Sequence, residues 1–443
     1  MKRLRTRRSR IVLAAVVVLV IAAAAIPATL ALRENDTWEH HNAHALFKGD
    51  PDQQAKDTPT SALATPKSAE AQQIAALAYP SNALTAGQLN KESALYNSKI
   101  KGRSAGNTGG WNQIGPSTST QPAVLNFFAF QSSDFGVSGR VTAMTTGPCD
   151  LSSCKLWVAA AGGGIWRNDN ALDAGSPWKY LSGDFGTNAI GTLTYDAASH
   201  TLYAGTGEPN ASGDSESGVG IYASKNNGNS WTFLPGSSVM NARSISSIVV
   251  DPNHPGTLYV GDARGVRGVT GVSGGAVSLA PDAAPWGLYK STDGGQTFKF
   301  VWDGNASIRG VNHVEMDSHG TIYAAAFQQG IWRSSDGGNT WEQVFATKDP
   351  TNNAARTEFA LNTTPDGHTR IYVGDGGRET DAAFPPHSNT GVYRADAIDT
   401  KSSADLVTGG TDGGYVSLTD PALGRAAPTY DYCEGQCWYD NFV

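Results

Sequence analysis

From Trp111 onward, apolar and polar positions alternate in short runs broken by clusters of Gly, Asp, Asn and Ser. Period-two alternation bounded by turn residues predicts half-buried strands. The runs repeat themselves. "TLYAG", "TLYVG", "TIYAA" and "RIYVG" are each followed, after a connection of variable length, by "GIYASKN", "GLYKSTD", "GIWRSSD" or "GVYRADA". Five units result, at 138–182, 188–235, 244–303, 308–346 and 357–400. A period of about 50 residues with four strands per unit is that of a propeller blade. The predicted fold class is therefore all-β, a β-propeller of four-stranded blades. "GGTDGGYVS" at 409–417 predicts a further, partial blade, and "CWYDNFV" at the end reads as a first strand of another.

Between the third and fourth strands, one eight-residue turn is written three times: "SKNNGNSW" from Ser224, "STDGGQTF" from Ser291 and "SSDGGNTW" from Ser334. A carboxylate at Asp293 or Asp336 can accept from the backbone N–H groups of its own turn. Gly228, Gly295 and Gly338 suit a left-handed backbone, and Trp231, Phe298 and Trp341 open the next strand, where they can pack between blades. Asn226 replaces the acid in the first copy. An amide still closes a turn but cannot serve as an acid catalyst, so the turn reads as structural.

Function is expected at the other end of the blades. In an up-and-down blade the connections after the second and fourth strands lie opposite the turn after the third. The connections after the second strand are long in three units: "GEPNASGDSESG", "DARGVRGVTGVSGGAVSLAPDAAPW" and "DGGRETDAAFPPHSNTG". Loops that vary on a repeating scaffold are where binding resides. Arg140, Arg243, Arg309 and Arg356 stand at the start of the first strand in four units, with Asn188 in the remaining one. Guanidinium groups bind carboxylates in a forked geometry. Two readings stay open: an anion-binding funnel, or arginines paired with acids such as Glu208, Asp262 or Asp375. Glycoside hydrolysis needs two carboxyl groups about 5–10 Å apart. The candidates on this face are Glu208, Asp214, Glu216, Asp262, Asp375, Glu379 and Asp381, of which Glu208, Asp262, Asp375 and Glu379 are kept as catalytic candidates. Trp286 offers a ring for sugar stacking or a cap for a blade.

The chain has 443 residues, 51 of them Gly, and only 16% are charged. This composition fits a turn-rich β protein. Residues 1–32 combine a basic head, "MKRLRTRRSR", with an apolar run at 11–32, the form of an export signal or an uncleaved membrane anchor. Residues 33–110 form a polar, Ala-rich spacer with short helices expected near "SAEAQQIAAL" and "QLNKESALYN", and 111–443 form the propeller, which reads as truncated at its C-terminus. Without residues 1–31, 27 basic residues face 40 acidic ones, a net charge of −13. That excludes nucleic acid as a natural partner. In an exported chain, the four cysteines predict two short-loop disulfides, Cys149–Cys154 and Cys433–Cys437, with zinc as the weaker reading. No metal site and no cofactor is expected; a Ca²⁺ in "NASGDSES" is the minor alternative.

The S-x-D-G-G-x-T-W turn resembles the Asp-box, or bacterial neuraminidase repeat, of sialidases, sortilin-type propellers and xyloglucanase-like propellers. "WNQIGP", "SGRVTAM", "GGGIWRN" and "YAGTGE…GVGIYAS" together are similar to large exported sialidase-like repeat proteins, over about residues 111–443. The resemblance implies six to eight blades when complete, with the Asp box as a folding element remote from the active site. The sialidases' F/Y-R-I-P motif is absent, and "GRVTAM" carries over only Arg140. Xyloglucanase-like propellers carry a catalytic Asp in a T-D-x-G-G stretch of the first blade. Here the stretch reads "AAAGGGIW", with Ala160 and Ala161 where the acid would stand. The expected function is an exported module, extracellular, periplasmic or at the cell surface, that binds a glycan, peptide or surface protein through the long-loop face. The alternatives are a sialidase-like glycoside hydrolase and a purely structural propeller. On these residues alone the reading leans away from an enzyme.

Overall fold

The computed structural model describes residues 139–210, 215–265, 268–269, 283–348, 355–376, 391–408, 414–419 and 443, with isolated positions before them. Among those positions, six between Gln88 and Ser98 are helical, in the stretch expected to form a short helix. The chain divides into two compact units. In the smaller, β1 (Thr120–Gln121) pairs antiparallel with β2 (Phe135–Gly136). The leader at 1–32, Glu379, and Cys433 with Cys437 lie outside the described residues.

The larger unit is a multi-blade β-propeller. It contains five four-stranded antiparallel sheets, each pairing its strands in chain order. Blade 1 is β3 (Val141–Cys149), β4 (Cys154–Ala160), β5 (Gly164–Asn168) and β6 (Trp178–Tyr180). Blade 2 is β7 (Ile190–Asp196), β8 (Thr201–Thr206), β9 (Ile221–Ser224) and β10 (Thr232–Phe233). Blade 3 is β11 (Ser244–Val250), β12 (Leu258–Ala263), β13 (Gly287–Ser291) and β14 (Lys299–Trp302). Blade 4 is β15 (Val311–Met316), β16 (Ile322–Ala326), β17 (Gly330–Ser334) and β18 (Glu342–Phe345). Blade 5 is β19 (Arg356–Thr363), β20 (Thr369–Gly376), β21 (Gly391–Ala395) and β22 (Val416–Ser417). The Cys149–Cys154 disulfide ties the β3–β4 hairpin as expected.

One expectation is corrected. Within the expected further blade at 409–417, Val416 and Ser417 instead pair with Arg394 and Tyr393 and so supply the fourth strand of blade 5. A short helix, α1 (Ser403–Val407), is inserted before that strand. Its capping box between Ser402 and Asp405 gives it a firm start.

The first strands of all five blades line a central cavity of about 800 Å³. They share a local irregularity. In blades 1 to 4 the pairing slips near the start of the first strand, after Val141, Ile190, Ile245 and Val311, leaving Thr142, Gly191, Ser246 and Asn312 bulged. A bulge re-aims a side chain, and here it aims at the next blade. Thr142 Oγ1 donates to Ile190 O at 2.5 Å, Ser246 Oγ to Val311 O at 2.6 Å and Asn312 Nδ2 to Thr357 O at 2.7 Å. At Gly191 the backbone of Ile245 comes so close that a Cβ would collide with its carbonyl. Three of the four seams are thus stitched by one repeated hydrogen bond and the fourth by a close backbone approach, beneath an apolar layer in which Leu193, Ile248, Val314 and Phe359 are buried.

The repeated turn is structural in every detail. Ser291 Oγ and Ser334 Oγ donate to Asp293 and Asp336 at 2.8 Å and accept from the N–H groups of Gly295 and Gly338. Each Asp also accepts from the backbone and hydroxyl of Thr297 or Thr340. In the Asn226 copy the polarity of one bond reverses: the amide donates to Ser230 Oγ at 2.8 Å while its oxygen still accepts from Ser230 N. Trp231 Nε1 donates to Leu181 O of blade 1, Phe298 joins the cluster of Ile221 and Leu234 from blade 2, and Trp341 stacks on Trp302 of blade 3 at 4.3 Å.

Candidate functional site at the long-loop rim

At the end of each blade opposite the Asp turns, the second strand stops and the long connections begin. The register identifies equivalent positions around the ring. Val141 pairs with Ala160, Ile190 with Thr206, Ile245 with Asp262, Val311 with Ala326 and Thr357 with Asp375. One structural position, the end of the second strand, therefore carries an acid in blades 3 and 5 and a small residue in the others.

These two acids are buried, and their surroundings differ. Asp375 is fixed by Thr357 Oγ1 at 2.7 Å, Lys348 N at 2.7 Å and Thr347 Oγ1 at 3.2 Å. Burial outweighs those bonds and pushes its pKa up to about 6. Asp262 is fully buried, and among the described residues neither of its oxygens meets a hydrogen-bond donor. Burial raises its pKa well above the carboxylate range, against the pull of the nearby Arg243 charge. Desolvation in turn lowers the pKa of Arg243, an effect that Asp262 opposes. The Arg243 guanidinium lies 4.7 Å from the Trp286 ring centroid and donates through Nε to Ala284 O, while its Nη1 has no partner among the described residues. Trp286 Nε1 donates to Ser307 O at 2.8 Å, which locks the ring to the blade 3–blade 4 seam. The ring is half-buried and has a cation on one face, so it is a pinned platform rather than the open one that sugar stacking predicted.

Glu208 stands two residues past β8, almost fully buried, in an ion pair with Arg140 of blade 1. Its backbone N–H donates to Glu216 O at 2.8 Å, Ser244 Oγ reaches the same carbonyl, and Gly218 N donates to Arg243 O at 2.6 Å. The rim is thus continuous from Arg140 and Glu208 through Glu216 to Arg243, Asp262 and Trp286. Glu379, Asp214 and Asp381 lie outside the described residues.

The four arginines do not share one register. Arg140 and Arg356 directly precede the equivalent residues Val141 and Thr357, whereas Arg243 and Arg309 fall one residue earlier, with Ser244 and Gly310 between them and their strands' equivalents. Along extended chain a one-residue offset sends side chains to opposite faces. Accordingly Arg140 meets Glu208, Arg243 meets Trp286, and Arg356 turns along its own strand to Glu358 at 2.7 Å. Arg309 is buried, and its backbone carbonyl accepts from Arg264 N at 2.8 Å.

A second group was absent from the sequence reading. His313 lies in the channel between Glu315 Oε1 at 3.1 Å and Glu358 Oε2 at 3.4 Å. Burial works against the imidazolium, but the bond to Glu315 and the charge of Glu358 raise the pKa of His313 overall. Only the alternation of β15 and β19 hints at this group, and their relative register is not written in the sequence. Among the described residues no cluster of His, Cys, Asp and Glu is arranged to hold a metal ion, and no helix is long and apolar enough to cross a membrane.

No family model matches this chain. It is 27% identical over 307 residues to a xyloglucanase of Paenibacillus sp, a match covering 60% of this chain and 27% of that protein. The chain thus spans about a quarter of the length of that curated relative. Among solved structures it is similar to a Niastella koreensis GH74 enzyme (TM-score 0.41, 19% identity, 64% of this chain and 38% of that one). It is also similar to the GH74 xyloglucanase of Xanthomonas campestris (TM-score 0.39, 16% identity, 68% and 39%). The lean away from an enzyme is corrected by the first of these matches, since the similar curated protein is a glycan-cleaving enzyme. The sequence similarity shown is to a xyloglucanase; membership of the Asp-box repeat family in particular has no match behind it.

Proposed function

We propose that this chain is the propeller portion of an exported glycoside hydrolase acting on a xyloglucan-type polysaccharide at the long-loop rim. The observation that carries the proposal is the presence of two carboxyl groups in unlike surroundings on one continuous rim. Burial raises the pKa of Asp262, whereas Glu208 is held beside the Arg140 guanidinium. Carboxyl groups whose environments separate them in this way divide the roles of acid and base between them. Asp262 would donate the proton to the leaving oxygen, Glu208 would act on the opposite side as the ionised carboxylate, and Arg243 on Trp286 would orient the sugar. The similarity to a xyloglucanase supports the substrate class. Ala160 and Ala161 place no acid at this rim in blade 1; blade 3 supplies one at the position equivalent to Ala160. The N-terminal export pattern and the disulfide support work outside the cytoplasm.

The test is release of reducing ends from xyloglucan by the full chain, with Asp262→Asn and Glu208→Gln variants beside it. General acid–base catalysis supplies about 10²–10⁴-fold, so each variant should lose at least about 100-fold in kcat. A folded chain that releases nothing, or variants that keep full activity, would overturn the assignment. Saturable binding of xyloglucan oligosaccharide without hydrolysis would favour the second reading, a glycan-binding face, which the missing acid in blade 1 supports.

A further inference from the structure

Near the Asp turns, a basic side chain crosses three of the four internal seams. On the third strand it pairs with an aromatic residue of the second: Arg167 with Trp157, Lys290 with Tyr259 and Arg333 with Tyr323. Each reaches the connection between the third and fourth strands of the next blade. Arg167 Nη1 donates to Asn227 O at 2.6 Å and to Asn229 Oδ1 at 3.0 Å. Lys290 Nζ donates to Gly337 O at 2.8 Å, and Arg333 to Ile398 O at 2.5 Å and Lys401 O at 2.7 Å. The aromatic partner joins the contact: Trp157 Nε1 donates to the same Asn227 O at 3.3 Å, and Lys290 Nζ lies 5.1 Å from the Tyr259 ring centroid.

Blade 2 breaks the series. Tyr203 pairs with Ala223, so a methyl group stands where blades 1, 3 and 4 place a cation. A cleft of about 840 Å³ opens there between blades 2 and 3, with Tyr203, Ala223, Gly294 and Gln296 in its walls. Gly294 and Gln296 occupy in the blade 3 turn the places of Asn227 and Asn229, the two acceptors of Arg167. Among the described residues nothing donates to the Gly294 carbonyl. The charged groups lining the cleft are Asp196, Asp251 and Lys225. Asp196 is held by its own turn and Asp251 by His254 Nδ1 at 2.9 Å, while Lys225 is exposed and makes no hydrogen bond to a described residue. We infer that this cleft binds a guanidinium group from solution, which takes the place that Arg167 and Arg333 fill at their own seams. A planar fork suits two acceptors side by side. Tyr203 offers the ring that Tyr259 offers Lys290, and the volume leaves room for the body that carries the group. The site lies at the Asp-turn end, apart from the rim, and does not depend on the reading given to the rim.

The test is calorimetric titration of the full chain with N-acetyl-arginine amide and with butylguanidinium, which carry the group on a peptide-like and a plain stem. Saturable binding is expected. An amide that binds tighter identifies a peptide side chain as the source, and one that binds no tighter identifies a small free guanidine; both results support the site. The neutral isostere N-acetyl-citrulline amide should not bind. Ala223→Arg builds the bridge that blade 2 lacks, so it should abolish saturable binding and raise the urea midpoint. If that variant fails to fold, as judged by circular dichroism, Gln296→Ala takes its place. It should weaken binding at least about tenfold, the scale of one lost hydrogen bond to a charged group. Lys225→Ala should leave binding in place. A folded wild type that shows no saturable binding overturns the inference. So does a citrulline amide that binds as tightly as the arginine amide, or an Ala223→Arg variant that binds like wild type. Binding that appears only in Lys225→Ala also overturns it, since Lys225 would then fill the cleft itself.

Discussion

The two ends of these blades use the same side chain in opposite ways. At the turn end, Asp293 and Asp336 sit in solvent and each collects hydrogen bonds from two hydroxyls and from backbone N–H. Those bonds hold the Asp293 pKa down to about 2, and Asp336 lower still. At the rim end, Asp262 and Asp375 are taken out of water and their pKa values rise. A carboxylate surrounded by donors is a permanently charged clasp. One whose pKa burial raises keeps its proton to higher pH, and groups shifted in this way cluster at functional sites.

This contrast can be broken most forcefully at Asp375. Its folded pKa lies above the unfolded one, so the folded state holds the extra proton and stability is highest below the ordinary carboxylate range. It should decline as pH rises through about 4 to 6, by about 3 kcal/mol in all. Asp375→Asn should remove that slope in urea titrations across this window; an unchanged slope would mean the carboxyl is already ionised. A smaller effect belongs to the turn end. Ser334 is buried, donates to Asp336 and accepts from Gly338 N, both at 2.8 Å. Ser334→Ala leaves that buried N–H unsatisfied and should cost about 1–2 kcal/mol by chemical denaturation. The smallest effect is expected for Asp293→Asn, because Asn226 already closes the equivalent turn in blade 2. Stability at neutral pH should barely move. What should vanish is the acid limb, since the depressed pKa of Asp293 gives a contribution present above the ordinary range and lost as pH falls through about 2. The pH slopes at Asp293 and Asp375 thus have opposite signs.

Much of the scaffold was legible because its cues are local. The Ser, Asp and Gly of the turn bond to one another within five residues, and the Trp or Phe that follows always packs backward. Blade 5 shows the limit: α1 separates its third and fourth strands, so the repeat reads as ending at residue 400 while pairing continues to Ser417. The rim was legible as a set of candidates but not as a geometry. Arg140, Glu208, Asp262 and Trp286 were all visible, whereas the bulges at Thr142, Gly191, Ser246 and Asn312 depend on hydrogen-bond register across strands. So does the offset that separates Arg243 and Arg309 from Arg140 and Arg356. The His313 group in the channel was illegible for the same reason, since Glu358 reaches it from another blade.

The most direct test of the rim as a catalytic site is the pH–rate profile of xyloglucan hydrolysis by the full chain and by Asp262→Asn. A buried acid on the same rim as a carboxylate ion-paired to Arg140 predicts a bell in kcat/KM whose alkaline limb reports loss of the Asp262 proton. The variant should lose both the rate and that limb. An unchanged profile in the variant, with a rate equal to wild type, would show that Asp262 is a buried structural acid and that the chemistry lies elsewhere.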